Sequence, residues 1–324
     1  MPLTVAAEAA QERAWTDRPF PDERLGMLFA CAHPAIDVAL RAPLLLRAVL
    51  GVDAGRIASA FLVSPEAMRQ RLVRAKTKMR TAGITFEVPE PSQAHERLES
   101  VLDATYAAFG LSWEDAGADG GAADLTQEAI FLARTVTGLM PEAPEAHGLL
   151  ALMLFVESRR AARRDAAGAY VPLDAQDPRL WSRELIEDAE RALRRAGTRA
   201  IGRFQLEAAI QSAHAARLSG NVADWTAIVR LYDALVECSD ALGAAVGRAA
   251  VHARAYGNEA GLRVLAALDA TRIGNYQPYW ALRAHLTRNP TDYDRAIGLT
   301  ENAATRTFLI DARNAAAICE RSSD

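Results

Sequence analysis

The sequence predicts an all-α protein, on three observations. Alanine, leucine and arginine, all good helix formers, recur in segments of about 12–20 residues. Glycine, proline and aspartate separate those segments, where such residues stop one helix and cap the next. No stretch alternates apolar and polar residues long enough to require a strand. Half of the 324 residues are apolar, so a real core can be buried, and the length suits two helical domains better than one.

In chain order, residues 1–21 read as a lead or linker, 22–88 as a first domain and 89–324 as a larger, wholly helical second domain. In the first, Ala54–Phe61 reads as a short helix with Ile57, Ala58 and Phe61 turned inward, and Leu62–Val63 make a turn. Ser64 then supplies an N-cap, Pro65 fits the first helical position, and Glu66 suits the positive end of the helix dipole. Met68, Leu72, Ala75 and Met79 follow at helical spacing and form one apolar stripe. The stretch Gly83–Pro91 (GITFEVPEP) is β-branched and closed by prolines, which a helix does not tolerate, so the domain boundary is set there.

Downstream, an amphipathic helix is expected near Glu96–Phe109, and Asp115–Ala123 (DAGADGGAA) reads as a glycine-rich loop. Leu125, Ala129, Leu132, Val136 and Leu139 share a helical face that ends at Pro141. Pro144 opens an apolar helix running to about Arg163, which completes a helical hairpin. Further helices are expected near Leu180–Arg195, Ile201–Leu218, Val222–Cys238, Leu242–Tyr256, Glu259–Asp269, Tyr276–Leu286 and Thr305–Glu320. Helix pairs recurring every ~35–40 residues suggest a tetratricopeptide-like array, although no single pair carries the full consensus.

Charge is distributed unevenly. The formal total is −4, yet Arg56–Arg80 holds seven basic residues against the one acid Glu66, and both lysines of the chain, Lys76 and Lys78, lie within it. That window carries +6 and leaves −10 for the remainder. Such asymmetry marks a localised contact with a polyanion. A basic amphipathic helix can also be a merely solvated face, but a short helix, a tight turn and a capped basic helix in succession are what major-groove reading requires. Arg69, Gln70 and Arg71 are the candidate base readers, since Arg forks onto guanine and Gln onto adenine. Arg74, Lys76, Lys78 and Arg80 are candidate phosphate contacts.

At these residues a family resemblance becomes specific. The run PLLLRAVLGVDAGRIASAFLVSPEAMRQRLVRAKTKMRTAGITFEVP resembles region 4 of extracytoplasmic-function sigma-70 family factors, above all the subfamily with a long tetratricopeptide-like C-terminal extension. DERLGMLFACAHPAI is similar to that subfamily's linker into region 4. PEAPEAHGLLALMLFVESRRAARRDAAGAYVPLDAQDPRLW, DWTAIVRLYDAL and ENAATRTFL are similar to its extension, so the likeness spans residues 22–313. The resemblance implies that a helix-turn-helix reads the −35 element of promoter double-stranded DNA and touches the β flap of the RNA polymerase core. It also implies that the extension regulates the factor, with a regulatory protein as its expected partner. Region 2 should precede this segment, and only about twenty residues stand before Asp22, so a fragment or a natural derivative is expected. Arg56 stands where the family usually carries an acid, and Gly110-Leu111-Ser112-Trp113 where an Asn-Glu-Gly-Tyr stretch is expected.

Other signals carry less. The six histidines are scattered singly, and Asp174 and Asp177 suit a turn before the Leu180 helix better than a metal site. There is no glycine-rich phosphate loop, nucleophile elbow or zinc-type cysteine spacing, so neither enzyme activity nor a cofactor or metal is expected. Trp181, Trp225, Tyr232, Tyr279 and Trp280 read as packing residues. Cys31, Cys238 and Cys319 lie far apart, and there is no membrane-length apolar run or secretion signal, so a reducing cytoplasm and no membrane partner are expected. The rival reading is a protein–protein interaction adaptor with a vestigial helix-turn-helix. A weaker third is a solenoid groove whose small-molecule ligand switches DNA affinity.

Overall fold

The computed structural model describes residues 23–84, 89–114, 121–198, 200–220 and 223–321. Among them there is no strand, only an isolated antiparallel bridge between Arg164 and Tyr170, and the fold class is all-α as expected. Contacts divide the chain into two compact units, the first ending at Leu150 and the second spanning Ala151–Asp324.

The first unit is built on α1 (Glu23–Cys31) and α2 (Val38–Ala48), neither of them foreseen. Asp37 caps α2 by accepting from the Ala39 amide at 2.9 Å, and Leu44, Leu45 and Leu46 are all buried. Three consecutive apolar residues inside one helix mean burial on several faces, and a single-face periodicity search does not register that. Next come α3 (Ala54–Ala60) and α4 (Pro65–Thr81), then α5 (Pro91–Glu114), α6 (Gly121–Leu139) and α7 (Pro144–Glu157). Helix α5 packs on α2 and on α6. Buried Arg97 of α5 donates to the Phe29 carbonyl of α1 at 3.2 Å, and Arg41 of α2 donates to Ser100 Oγ at 3.4 Å.

The boundary expected after residue 88 therefore differs from the contact division after Leu150, because a break in helicity is not a break in packing. Residues 85–88 of the proline-closed stretch and 115–120 of the glycine-rich one lie outside the described residues. Gly121–Ala123, expected in that loop, begin α6 instead, and α5 runs through the Gly110–Trp113 stretch. The α5–α6 pair is tied by Thr126 Oγ1 donating to Ser112 Oγ at 2.7 Å. Helix α7 is buried on nearly every side, and it stops at Glu157 instead of continuing to Arg163, where a 3-10 turn (Arg160–Arg163) takes over.

In the second unit a strap of short 3-10 turns leads to α8 (Arg183–Ala196). Its ends are joined by the Ser182 amide donating to the Ser158 carbonyl at 2.8 Å. Then follow α9 (Arg203–Ala215), α10 (Trp225–Cys238), α11 (Leu242–Tyr256), α12 (Asn258–Ala266), the single turn α13 (Ala270–Ile273), α14 (Gln277–Thr287), α15 (Pro290–Leu299) and α16 (Ala303–Arg321). From α8 to α12, and from α14 to α16, each helix packs on the next, and α12 packs on α14. The α11–α12 approach is close enough that a Cβ on Gly261 would stand 2.6 Å from the Ala253 Cβ and 2.8 Å from the Ala249 carbonyl. Helix α15, missed from sequence, is capped by Asn289, which accepts from the Thr291 amide at 2.8 Å, and its Tyr293 is fully buried.

Candidate nucleic-acid interface

Local chemistry sets both helices of the basic segment. Asp53 accepts from the Gly55 amide at 2.7 Å and opens α3, which buries Ile57 and Ala58. Phe61, expected inside, is only half-buried at the end of that helix, and Leu62 turns the chain at φ +52° with its side chain exposed. Ser64 caps α4 by accepting from the Ala67 amide at 3.2 Å, and Pro65 occupies the first turn. Both caps satisfy amides that the first helical turn leaves without intrahelical partners.

Helix α4 is about 25 Å long, at 1.5 Å per residue. Met68, Leu72, Ala75 and Met79 form its buried stripe, as expected from their spacing. The opposite face carries Gln70, Val73 and Thr77, all exposed and without charge. On one flank of this strip stand Arg69, Lys76 and Arg80, and on the other Arg71, Arg74 and Lys78. The seven candidates thus share one helix but three faces: Gln70 alone is central, whereas Arg69 and Arg71 lie on opposite flanks. Arg71 is half-buried beside the apolar stripe, and the other five cations are exposed.

Glu66 organises the first turn. Its Oε2 accepts from Arg69 Nε at 3.2 Å and Nη2 at 2.9 Å, and its Oε1 accepts from Gln70 Nε2 at 3.2 Å. The bonds from Arg69, and then from Gln70, hold the Glu66 carboxyl below the usual carboxylate range. Among the described residues, Arg74, Lys76, Lys78 and Arg80 form no ion pair, so their charge stays available to an outside anion. Val73, Thr77 and the Glu66 clamp were missed from sequence. The 4-3-4 spacing of residues 66, 70, 73 and 77 was the available signal, masked by the basic residues between them.

The segments set aside from sequence behave as turns and packing. Asp177 accepts from the Arg179 amide at 2.9 Å and pairs with its guanidinium at 2.7 Å, and His147 contacts the Pro141 carbonyl at 2.9 Å. Among the described residues no group of three His, Cys, Asp or Glu could hold a metal ion, and no helix is long and apolar enough to cross a membrane.

Comparison with known proteins brings in the uncharacterized protein R00370 of Rhizobium meliloti (strain 1021), 38% identical over 302 residues, which cover 90% of this chain and 70% of that one. The chain belongs to the family of R00370. Residues 97–197 also match the Family of unknown function (DUF6596). That match begins at buried Arg97 and ends at Gly197, the C-cap of α8, so the basic helix α4 lies outside it. No solved structure matches the chain.

Proposed function

We propose that this is a sigma-factor-like transcription-initiation protein, not an enzyme, that recognises −35-type promoter DNA through α3 and α4 acting as a helix-turn-helix. The observation that carries the reading is the three-way division of α4: a buried stripe, an outward strip of uncharged Gln70, Val73 and Thr77 headed by Glu66, and a row of cations on each side. A helix seated in the major groove meets base edges along its centre and a phosphate backbone on either side. Gln70, Val73 and Thr77 then face the bases, with an amide for adenine, a methyl contact for thymine and a hydroxyl. Arg69, Lys76 and Arg80 take one backbone, and Arg71, Arg74 and Lys78 the other. This refines the expectation that Arg69 and Arg71 read bases, because both leave the centre line; Arg69 must also exchange Glu66 for DNA.

In this reading the RNA polymerase core, through its β flap, is the protein partner, and the cytoplasm is the compartment. The second unit, with helices that pack on their sequence neighbours, acts as a tetratricopeptide-like regulatory array open to a regulatory protein. The test is fluorescence anisotropy of the whole chain on a promoter-length duplex. Arg69→Ala with Arg71→Ala should weaken binding at least tenfold; unchanged binding would refute the assignment of these flanks. The excess acidity outside Arg56–Arg80 favours a second reading, an adaptor with a vestigial helix-turn-helix. An adaptor retains its protein partner after nuclease treatment and in the absence of polymerase.

A further inference from the structure

Three side chains far apart in sequence converge in the second unit. Arg159, just past α7 at the start of the 3-10 turn, is 9% exposed; it donates to Gln211 Oε1 at 2.6 Å and lies 6.0 Å from the Trp181 ring centroid. Arg217 stands 5.3 Å from the same centroid and donates to the carbonyls of Leu173, Asp174 and Gln176, at 2.7, 3.2 and 3.2 Å. Among the described residues no carboxylate pairs with Arg159. Burial, and then the charges of Arg163 and Arg217, lower its pKa to about 10. A cation enclosed with other cations and no acid is costly, and such an arrangement favours uptake of an anion.

A second observation points the same way. Trp181 is 4% exposed, and its Nε1–H has no acceptor among the described residues. Buried indole N–H groups ordinarily find one. Trp181 and Arg217 also line a cleft of about 500 Å³, with Arg183 on its wall and with Asp177 already engaged by Arg179. The cleft wall is therefore basic where it meets the ring.

We propose that the Arg159–Trp181–Arg217 cluster binds a small organic oxyanion, a carboxylate or a phosphate ester, admitted by this cleft. The Arg159 guanidinium supplies the charge and a forked pair of donors, and Trp181 Nε1 supplies one more. Arg217, its donors committed to the strap, holds the ring and adds positive potential. Arg159 and Trp181 both lie within the family-matching segment, whereas Arg217 comes from beyond it.

The test is calorimetry and thermal denaturation of the whole chain without DNA, with inorganic phosphate and citrate as probes and sodium chloride at matched ionic strength as control. Saturable binding, with a rise in Tm beyond the chloride control, supports the site, and the stronger probe separates phosphate from carboxylate chemistry. No response to either probe beyond chloride overturns it. Arg159→Gln should keep or raise the Tm of the free chain while losing the probe response. A variant that responds like the wild type overturns the proposal. Should Arg159→Gln fail to fold, Trp181→Phe decides, because it keeps an aromatic face for the two guanidinium groups and removes the N–H with the pyrrole half of the indole. Binding weakened about tenfold supports the site, and unchanged binding overturns it.

Discussion

The salt dependence of DNA binding tests the two-row arrangement of α4 quantitatively. Six cations flank its outward strip, three on each side. Each cation that neutralises a phosphate releases a counter-ion, so log K falls with log salt at a slope of about −0.9 per contact, or about −5 for six. Between 50 and 200 mM salt this amounts to a loss in affinity of about a thousandfold. Lys76→Ala with Arg80→Ala removes two contacts from one row and touches neither the buried stripe nor Glu66. The slope should become about −3.6 and the loss over the same salt range about 150-fold. Arg74→Ala with Lys78→Ala, in the other row, should change it equally. The assay is anisotropy of a labelled duplex titrated with the whole chain at several salt concentrations. A wild-type slope shallower than about −2, or a response confined to one row, would refute the picture of a helix laid between two backbones.

Three further predictions follow from particular contacts. Gln70→Ala should relax preference at one base pair, costing about 1–3 kcal/mol there, while leaving the salt slope unchanged; anisotropy across single-base duplex variants reads both. His214 is buried against Trp225, with burial first and the Arg159 charge second bringing its pKa from 6.5 to about 4. The folded state therefore resists protonation: stability is full above pH 6.5 and declines as pH falls toward 4, by about 3 kcal/mol at most. Denaturant titrations should show that His214→Gln loses this part of the decline. Gly261→Ala reverses the usual gain from replacing a helical glycine, because the new methyl meets the Ala249 carbonyl and the Ala253 Cβ; a loss of about 1–3 kcal/mol is expected by denaturant titration.

How much could be read from the sequence varied with the range of the interaction. The stripe Met68, Leu72, Ala75 and Met79, the Ser64 cap and the Pro65 start of α4 were legible because each depends on residues within one or two helical turns. The turn chemistry at Asp177 was legible for the same reason. Helix α2 escaped because Pro43 lies inside it and its leucines are buried without a clear period, and α15 because its signal is a cap and a few inward side chains.

The sequence by itself determined an all-helical chain with a concentrated basic segment, since helix propensity, capping and charge are properties of neighbouring residues. Only the tertiary structure decided that α5 packs on α2 across the proline-closed stretch. It also decided that Arg71 is half-buried while Gln70, Val73 and Thr77 face outward, because burial depends on which helix lies beneath. The meeting of Arg159, Trp181 and Arg217 belongs wholly to that level. No periodicity links those three positions, and a long-range contact leaves no local pattern in the residues that make it.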